Sequence, residues 1–123
     1  MKSKFWLAGL AAVAVLSLSC SKKGASSSGG GSTITYSSTP NISVLDSRFS
    51  PQNDSVAVGT TITWTYSASL THTVTSDQAG LFNSGDMPTN GPTFTHTFNS
   101  PGIFTYHCIY HQAMGMTGRI KVQ

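Results

Sequence analysis

The sequence predicts an all-β domain of seven to eight short strands over residues 33–123. Three observations support this fold class. Apolar and polar residues alternate in short runs, Gly and Pro interrupt these runs every several residues, and no helical periodicity follows Leu18. Only 9% of the residues are charged, none is Glu, and the abundant Thr, Ser and Gly favour strands and turns. We therefore expect a β-sandwich or barrel with one modest core.

The strands are predicted in order, with a turn between successive runs. The clearest is 61–66, in which Ile62, Trp64 and Tyr66 share one face and threonines occupy the other. The predicted strand segments are 33–36, 41–45, 54–58, 61–66, 72–75, 93–98, 103–108 and 118–122. Residues 48–51 form a corner, and 79–92 form a loop. The candidate core residues are Ile62, Trp64, Phe94, Phe98, Phe104 and Val122.

The first 19 residues are predicted to be a signal peptide. A basic start precedes the apolar run Phe5–Leu18, which is too short for a comfortable membrane-spanning helix. The run ends in Leu16-Ser17-Leu18-Ser19-Cys20, which resembles a bacterial lipoprotein signal, although Ser17 stands where that pattern prefers Leu. The resemblance implies that Cys20 is lipidated and that the protein is exported, membrane-anchored, and faces the periplasm or cell exterior. An ordinary cleaved signal peptide is the alternative.

Residues 20–32 are predicted to form a flexible Ser/Gly-rich linker between the lipid and the domain. The net charge of +3 belongs to the signal peptide and linker together, because four lysines precede residue 33. From Thr33 onward, three basic residues stand against four aspartates, a net charge of −1. The basic balance therefore gives no support to nucleic-acid binding.

Metal-ligating side chains are concentrated in residues 106–116, directly after a predicted strand. They are Cys108, His111, Met114 and Met116, and His72 is a further imidazole upstream. Two neutral imidazoles, one thiolate and a weak axial thioether are the ligands of a blue-copper site. A lone Cys or His is usually structural, but the spacing Cys-x2-His-x4-Met favours a metal. Zinc is the chemical competitor, and the soft thioether favours copper over zinc.

A disulfide between Cys20 and Cys108 is the alternative use of the two cysteines in an exported protein. We do not favour it, because Cys20 stands at the processing site and Cys108 stands among the candidate ligands.

From residue 49 to the C-terminus the sequence resembles the cupredoxins, specifically the plastocyanin, amicyanin and halocyanin group. The matching stretches are 58–64, 72–77, 82–85, 94–98, 101–106 and 108–122. The resemblance implies a Greek-key sandwich and one type 1 copper ion. It implies that the copper ligands are His72, Cys108, His111 and Met116. Met114 is the alternative axial ligand, and Met116 is preferred because the family's Met-x-Gly-(Lys/Arg) pattern is intact only at 116–119.

Two other histidines are not expected to bind metal. His107 directly precedes Cys108 and should point to the opposite face of its strand, and His96 lies mid-strand in an ordinary scaffold motif. The sequence also departs from the family at two positions. Thr73 stands where many relatives carry Asn, and Tyr110 stands where many carry Pro. These departures affect the surroundings of the ligands and the redox potential rather than the metal itself.

The resemblance implies one-electron transfer between redox partner proteins, without transformation of a substrate. His111 would be the electron port, meaning the ligand edge through which electrons enter and leave. Ile109, Tyr110 and Met114 would form an apolar docking patch around it. We expect a monomer bound to the membrane through its N-terminal lipid. The alternatives are a copper storage or delivery protein, a copper-enzyme domain, which we do not expect, and a sandwich that binds no metal.

Overall fold

The computed structural model describes residues 32–89 and 93–123. Eight strands in this part of the chain form two four-stranded sheets, which confirms the predicted fold class. The strands are β1 (Asn41–Val44), β2 (Phe49–Ser50), β3 (Asn53–Val56), β4 (Thr61–Tyr66), β5 (Thr75–Ser76), β6 (Phe94–Thr97), β7 (Gly102–His107) and β8 (Thr117–Val122). The strand orders are β2-β1-β4-β6 in one sheet and β3-β8-β7-β5 in the other.

The chain crosses repeatedly between the two sheets, so each sheet is built from strands distant in sequence. Within the sheets, β1 pairs with β4 and β3 pairs with β8 in parallel, and the other neighbours are antiparallel. The longest ladder joins β7 to β8 from Gly102↔Val122 to His107↔Thr117. This ladder places the residues after β7 next to the start of β8, where the candidate ligands lie.

The core between the sheets contains a cluster of aromatic rings around Trp64. Trp64 is fully buried, and its ring centroid lies 5.6 Å from Phe82 and 5.5 Å from Tyr106, which it meets edge-on. Tyr106 packs against β8 at Gly118, where a β-carbon would lie 2.6 Å from the ring carbon Cε2 and closer still to Cζ and the hydroxyl oxygen. Gly118 is therefore required by the close approach of this ring.

Four of the six predicted core residues are buried, and two are only partly buried. Ile62, Trp64, Phe98 and Val122 are in the core. Phe94 and Phe104 pack against the core and remain partly exposed. They were predicted to be core residues, but they lie at its edge. The reason is their position: Phe94 lies on the edge strand β6, and Phe104 borders an open groove beside His96.

Two predicted strand segments differ from the structure. Residues 33–36 form no strand; instead Ser37 makes a single bridge to Asp54, whose carboxylate accepts the Thr39 N–H at 3.0 Å. The segment 72–75 becomes a strand only at Thr75, because the backbone of His72 pairs with Met87 in the loop that follows β5. The sequence pattern could not show either long-range pairing.

The signal peptide, the lipidation site Cys20 and nearly all of the linker lie outside the described residues, as do residues 90–92 of the predicted loop. Among the residues that are described, no helix is long and apolar enough to cross a membrane.

Candidate metal centre

Three predicted ligands converge in the structure. The ligand atoms of His72, Cys108 and His111 all lie within 4.8 Å of one another. Cys108 Sγ is 3.5 Å from Nδ1 of His72 and 3.5 Å from Nδ1 of His111. Metal–nitrogen and metal–sulfur bonds of about 2.0–2.3 Å place three donors in one plane roughly 3.5–4 Å apart. The three donor atoms are therefore spaced to hold a single ion.

The residues from Cys108 to Met116, here called the ligand loop, fold back on themselves. The Cys108 N–H donates to the Met116 carbonyl at 3.1 Å, and the His111 N–H donates to the Cys108 carbonyl at 3.2 Å. A 3-10 turn over Gln112–Met114 ends at Gly115, whose φ of +87° favours glycine. The backbone thus brings Cys108, His111 and Met116 back to the same end of β7 and β8.

His72 is held by backbone pairing with Met87. The Met87 N–H donates to the His72 carbonyl at 2.8 Å, and the His72 N–H donates to the Met87 carbonyl at 3.3 Å. The side chain is fully buried. Burial, and secondarily the neighbouring His111, lowers the pKa of His72. The neutral imidazole that results is the form whose lone pair binds a metal.

The outer nitrogen of His72 points toward Asp46. Nε2 is buried without a hydrogen-bond partner, and Asp46 Oδ1 lies 3.9 Å away. This carboxylate is held in place by the N–H groups of Ser69 at 2.5 Å and Leu70 at 3.1 Å, and the bond from Ser69 lowers the pKa of Asp46. Asp46 is therefore an anion next to the back of the imidazole, where it favours a proton on Nε2 and leaves Nδ1 free for a metal.

The two methionines of the ligand loop differ sharply in exposure. Met116 is 0% exposed, and Met114 is 70% exposed. A thioether that ligates a buried ion has to be in the interior, so this difference supports Met116 as the axial ligand over Met114.

The other two histidines do not belong to the cluster. His107 Nδ1 lies 2.5 Å from Asp77 Oδ1, and His96 lies against Phe82 and Phe98, with both ring centroids 4.8 Å away.

Thr73, which the sequence marked only as a departure, connects the two ligand-bearing segments. Its side chain is buried, and its Oγ1 accepts the Ile109 N–H at 2.9 Å and the Thr75 hydroxyl at 3.1 Å. Its backbone N–H points at Cys108 Sγ from 3.5 Å, where it stabilises negative charge on sulfur. The only sequence signal for this role is its position directly after His72.

The predicted docking patch is exposed around His111. Ile109, Tyr110 and Met114 are at least half exposed, and so is Leu70 from a neighbouring loop. Leu70, Thr71, Asp86, Tyr110 and His111 line an open groove of about 430 Å³. The Tyr110 hydroxyl donates to Asp86 Oδ1 at 2.7 Å, which raises the pKa of Tyr110. His111 is therefore the candidate ligand that lies beside this exposed groove.

Comparisons with known proteins identify one family model and several similar proteins. The model of the family described as copper binding proteins, plastocyanin/azurin family, matches residues 40–123. Halocyanin of Natronomonas pharaonis is 36% identical over 78 residues, a match that covers 61% of this chain and 48% of halocyanin. Chloroplastic plastocyanin of Tetradesmus obliquus is 30% identical over 84 residues, covering 61% of this chain and 58% of that protein. The chain thus matches only about half the length of these two relatives.

Among solved structures, a purple cupredoxin from Nitrosopumilus maritimus superimposes with a TM-score of 0.61 at 30% identity. The superposition covers 68% of this chain and 98% of that one.

Proposed function

This chain belongs to the plastocyanin/azurin family of copper-binding proteins, and from that premise we propose that it is a type 1 copper electron-transfer protein. Its cofactor is one type 1 copper ion, and His72, Cys108, His111 and Met116 would hold it. Bound copper supplies one-electron chemistry by alternating between Cu(I) and Cu(II). The observation that carries the proposal is the Cys108 thiol, buried between two imidazole nitrogens at 3.5 Å.

The protein holds these ligands in place through its own hydrogen bonds. His72 is fixed by the Met87 pairing, the ligand loop by its internal bonds, and the two segments by Thr73. Ligands fixed by the fold keep one arrangement in both oxidation states, so an electron can be exchanged with little rearrangement. The Thr73 N–H and the dry surroundings of Cys108 set the electron density on sulfur and hence the potential.

We propose that electrons pass through His111 to partners docked on the apolar patch of Ile109, Tyr110, Met114 and Leu70. Half-exposed apolar side chains around a half-buried ligand suit a brief, weakly bound complex. From Thr33 onward the chain carries only three basic residues and four aspartates, a net charge of −1. We therefore expect the rate of electron exchange with a partner to depend only weakly on salt.

The location of the protein is a proposal from the N-terminal sequence. We propose export, lipidation at Cys20, and a monomeric domain held at a membrane by the linker. Labelled palmitate should be incorporated into the wild-type protein and not into Cys20→Ser. Incorporation into neither protein would refute lipidation and favour an ordinary cleaved signal peptide.

A copper storage or delivery protein is the second candidate, because it could use the same ligand types. Such a protein needs a site that exchanges metal readily, whereas His72, Cys108 and Met116 are all 0% exposed. Burial therefore favours electron transfer. An enzyme is a weaker alternative, because His72, Cys108 and His111 make up the one cluster of candidate metal-binding side chains found in the described part of the chain.

Voltammetry of the copper-loaded protein tests the proposal. We expect a reversible one-electron couple and fast electron self-exchange between oxidised and reduced protein. A site that loses copper within seconds to a competing chelator and gives no reversible couple would instead establish storage or delivery.

A further inference from the structure

A single side-chain hydrogen bond joins the two ligand-bearing segments at the surface. The Tyr110 hydroxyl donates to Asp86 Oδ1 at 2.7 Å, across 24 positions of sequence. Tyr110 directly precedes His111, and Asp86 directly precedes Met87, whose backbone pairs with His72. The bond therefore connects the neighbour of the ligand His111 to the neighbour of Met87, whose backbone holds the ligand His72.

Few hydrogen bonds hold the ligand loop to the rest of the protein. In the described chain, three hydrogen bonds join residues 109–115 to residues outside the loop. The Thr117 N–H donates to the Gly115 carbonyl at 2.9 Å, which is a contact with the adjoining residues of the chain. The part-buried bond from the Ile109 N–H to Thr73 fixes the cysteine side of the loop. On the histidine side, where His111 bonds to other residues of the loop, the bond from Tyr110 to Asp86 is the one side-chain hydrogen bond to another segment of the described chain.

The side chain at position 110 is restrained by a residue outside the ligand loop. A proline at this position would fix its own φ. Tyrosine does not, and more than half of its side chain is exposed. Packing alone therefore restrains this side chain weakly, and the hydrogen bond to the carboxylate is its main restraint.

We propose that Tyr110 and Asp86 are positioning residues whose hydrogen bond closes the ligand loop over the site, fixes His111, and sets how fast copper leaves. The proposal rests on the proposed function for the identity of the metal, but the closure of the loop is a property of the polypeptide and can be measured without copper.

The experiment compares five variants of the whole protein. Tyr110→Phe and Asp86→Ala each remove the bond, and the double variant removes both partners. Asp86→Asn keeps an oxygen that can accept the hydroxyl proton. Thr97→Val is the matched control, because it removes another exposed hydroxyl bond, to Thr61 at 2.8 Å, on strands that carry no ligand. The readouts are backbone hydrogen exchange of residues 109–115 in copper-free protein and the rate of copper loss to excess EDTA.

We expect both rates to rise about three- to tenfold in Tyr110→Phe and in Asp86→Ala, as for loss of one hydrogen bond. The double variant should show no further increase, since the two residues act as a unit. Asp86→Asn should remain near wild type, and so should Thr97→Val. The proposal is overturned if the two single variants match the Thr97→Val control, or if their effects add fully in the double variant.

A failure of the proposed function would be seen in a different measurement from a failure of the Tyr110–Asp86 proposal. Wild-type protein without an intense blue absorption would refute the type 1 assignment, whereas the exchange measurement on copper-free protein would still decide the role of the Tyr110–Asp86 bond.

Discussion

Replacing Thr73 by Val tests whether this side chain organises the metal site. Valine has nearly the same shape, so the substitution opens no cavity, but it removes the oxygen that accepts the Ile109 N–H at 2.9 Å. Thr73 is 2% exposed, and the bond that it accepts from the Ile109 N–H is part-buried. Leaving a donor unpaired in such a place costs up to about 1–3 kcal/mol. For a domain of this size that lowers the Tm by roughly 5–20 °C.

The assay is thermal unfolding of copper-free protein, combined with the exchange rate of the Ile109 amide. Copper-free protein is used because bound metal would stabilise every variant by mass action. Thr73→Ser is the control, since it keeps the hydroxyl and loses only a methyl group. The Ile109 amide should exchange about tenfold faster in Thr73→Val and remain protected in Thr73→Ser. A Val variant that unfolds within about 0.5 kcal/mol of wild type, with a protected Ile109 amide, would refute the reasoning.

Three further predictions concern the core, the axial ligand and the pH dependence of stability. Gly118→Ala should destabilise the fold by about 2–4 kcal/mol in urea unfolding, because the new methyl group overlaps the Tyr106 ring; a loss under about 0.5 kcal/mol would contradict the packing described here. Met116→Leu should shift the reduction potential measured by voltammetry, whereas Met114→Leu should leave it unchanged, and the reverse pattern would make Met114 the axial ligand. Burial lowers the pKa of His96 in the folded protein. The neutral imidazole therefore contributes its full stability above about pH 6.5, the pKa in the unfolded chain, and this contribution is lost as the pH falls through the lower pKa of the folded state. The free energy of unfolding should therefore fall less between about pH 7.5 and pH 5 in His96→Phe than in wild type, and equal falls would show that His96 does not contribute.

The sequence was most informative where the signal is local. Thr61–Tyr66 was predicted with its observed bounds, because Ile62 and Trp64 alternate with outward threonines. Cys108, His111 and Met116 lie in one loop, so their spacing alone placed them near each other. The sandwich also followed from local alternation, since every core-facing strand needs a covering layer.

Features that depend on distant partners could not be predicted from the pattern. His72 reads as part of a strand, but its backbone pairs with Met87 instead of continuing β5. Phe94 alternates like a core residue and is half-open only because β6 is the edge of its sheet. The bonds made by Thr73 and Asp86 could not be predicted, because their partners Ile109 and Tyr110 lie more than 20 positions away.

The central claim is that Cys108 binds copper as a thiolate in a type 1 site, and the visible absorption spectrum tests it most directly. The spectrum is recorded for wild type and Cys108→Ser, each after addition of one equivalent of Cu(II). We expect an intense blue thiolate-to-copper band in the wild type and its complete loss in the variant. A pale wild-type spectrum, or a band that persists in Cys108→Ser, would show that Cys108 is not the thiolate ligand of a type 1 copper.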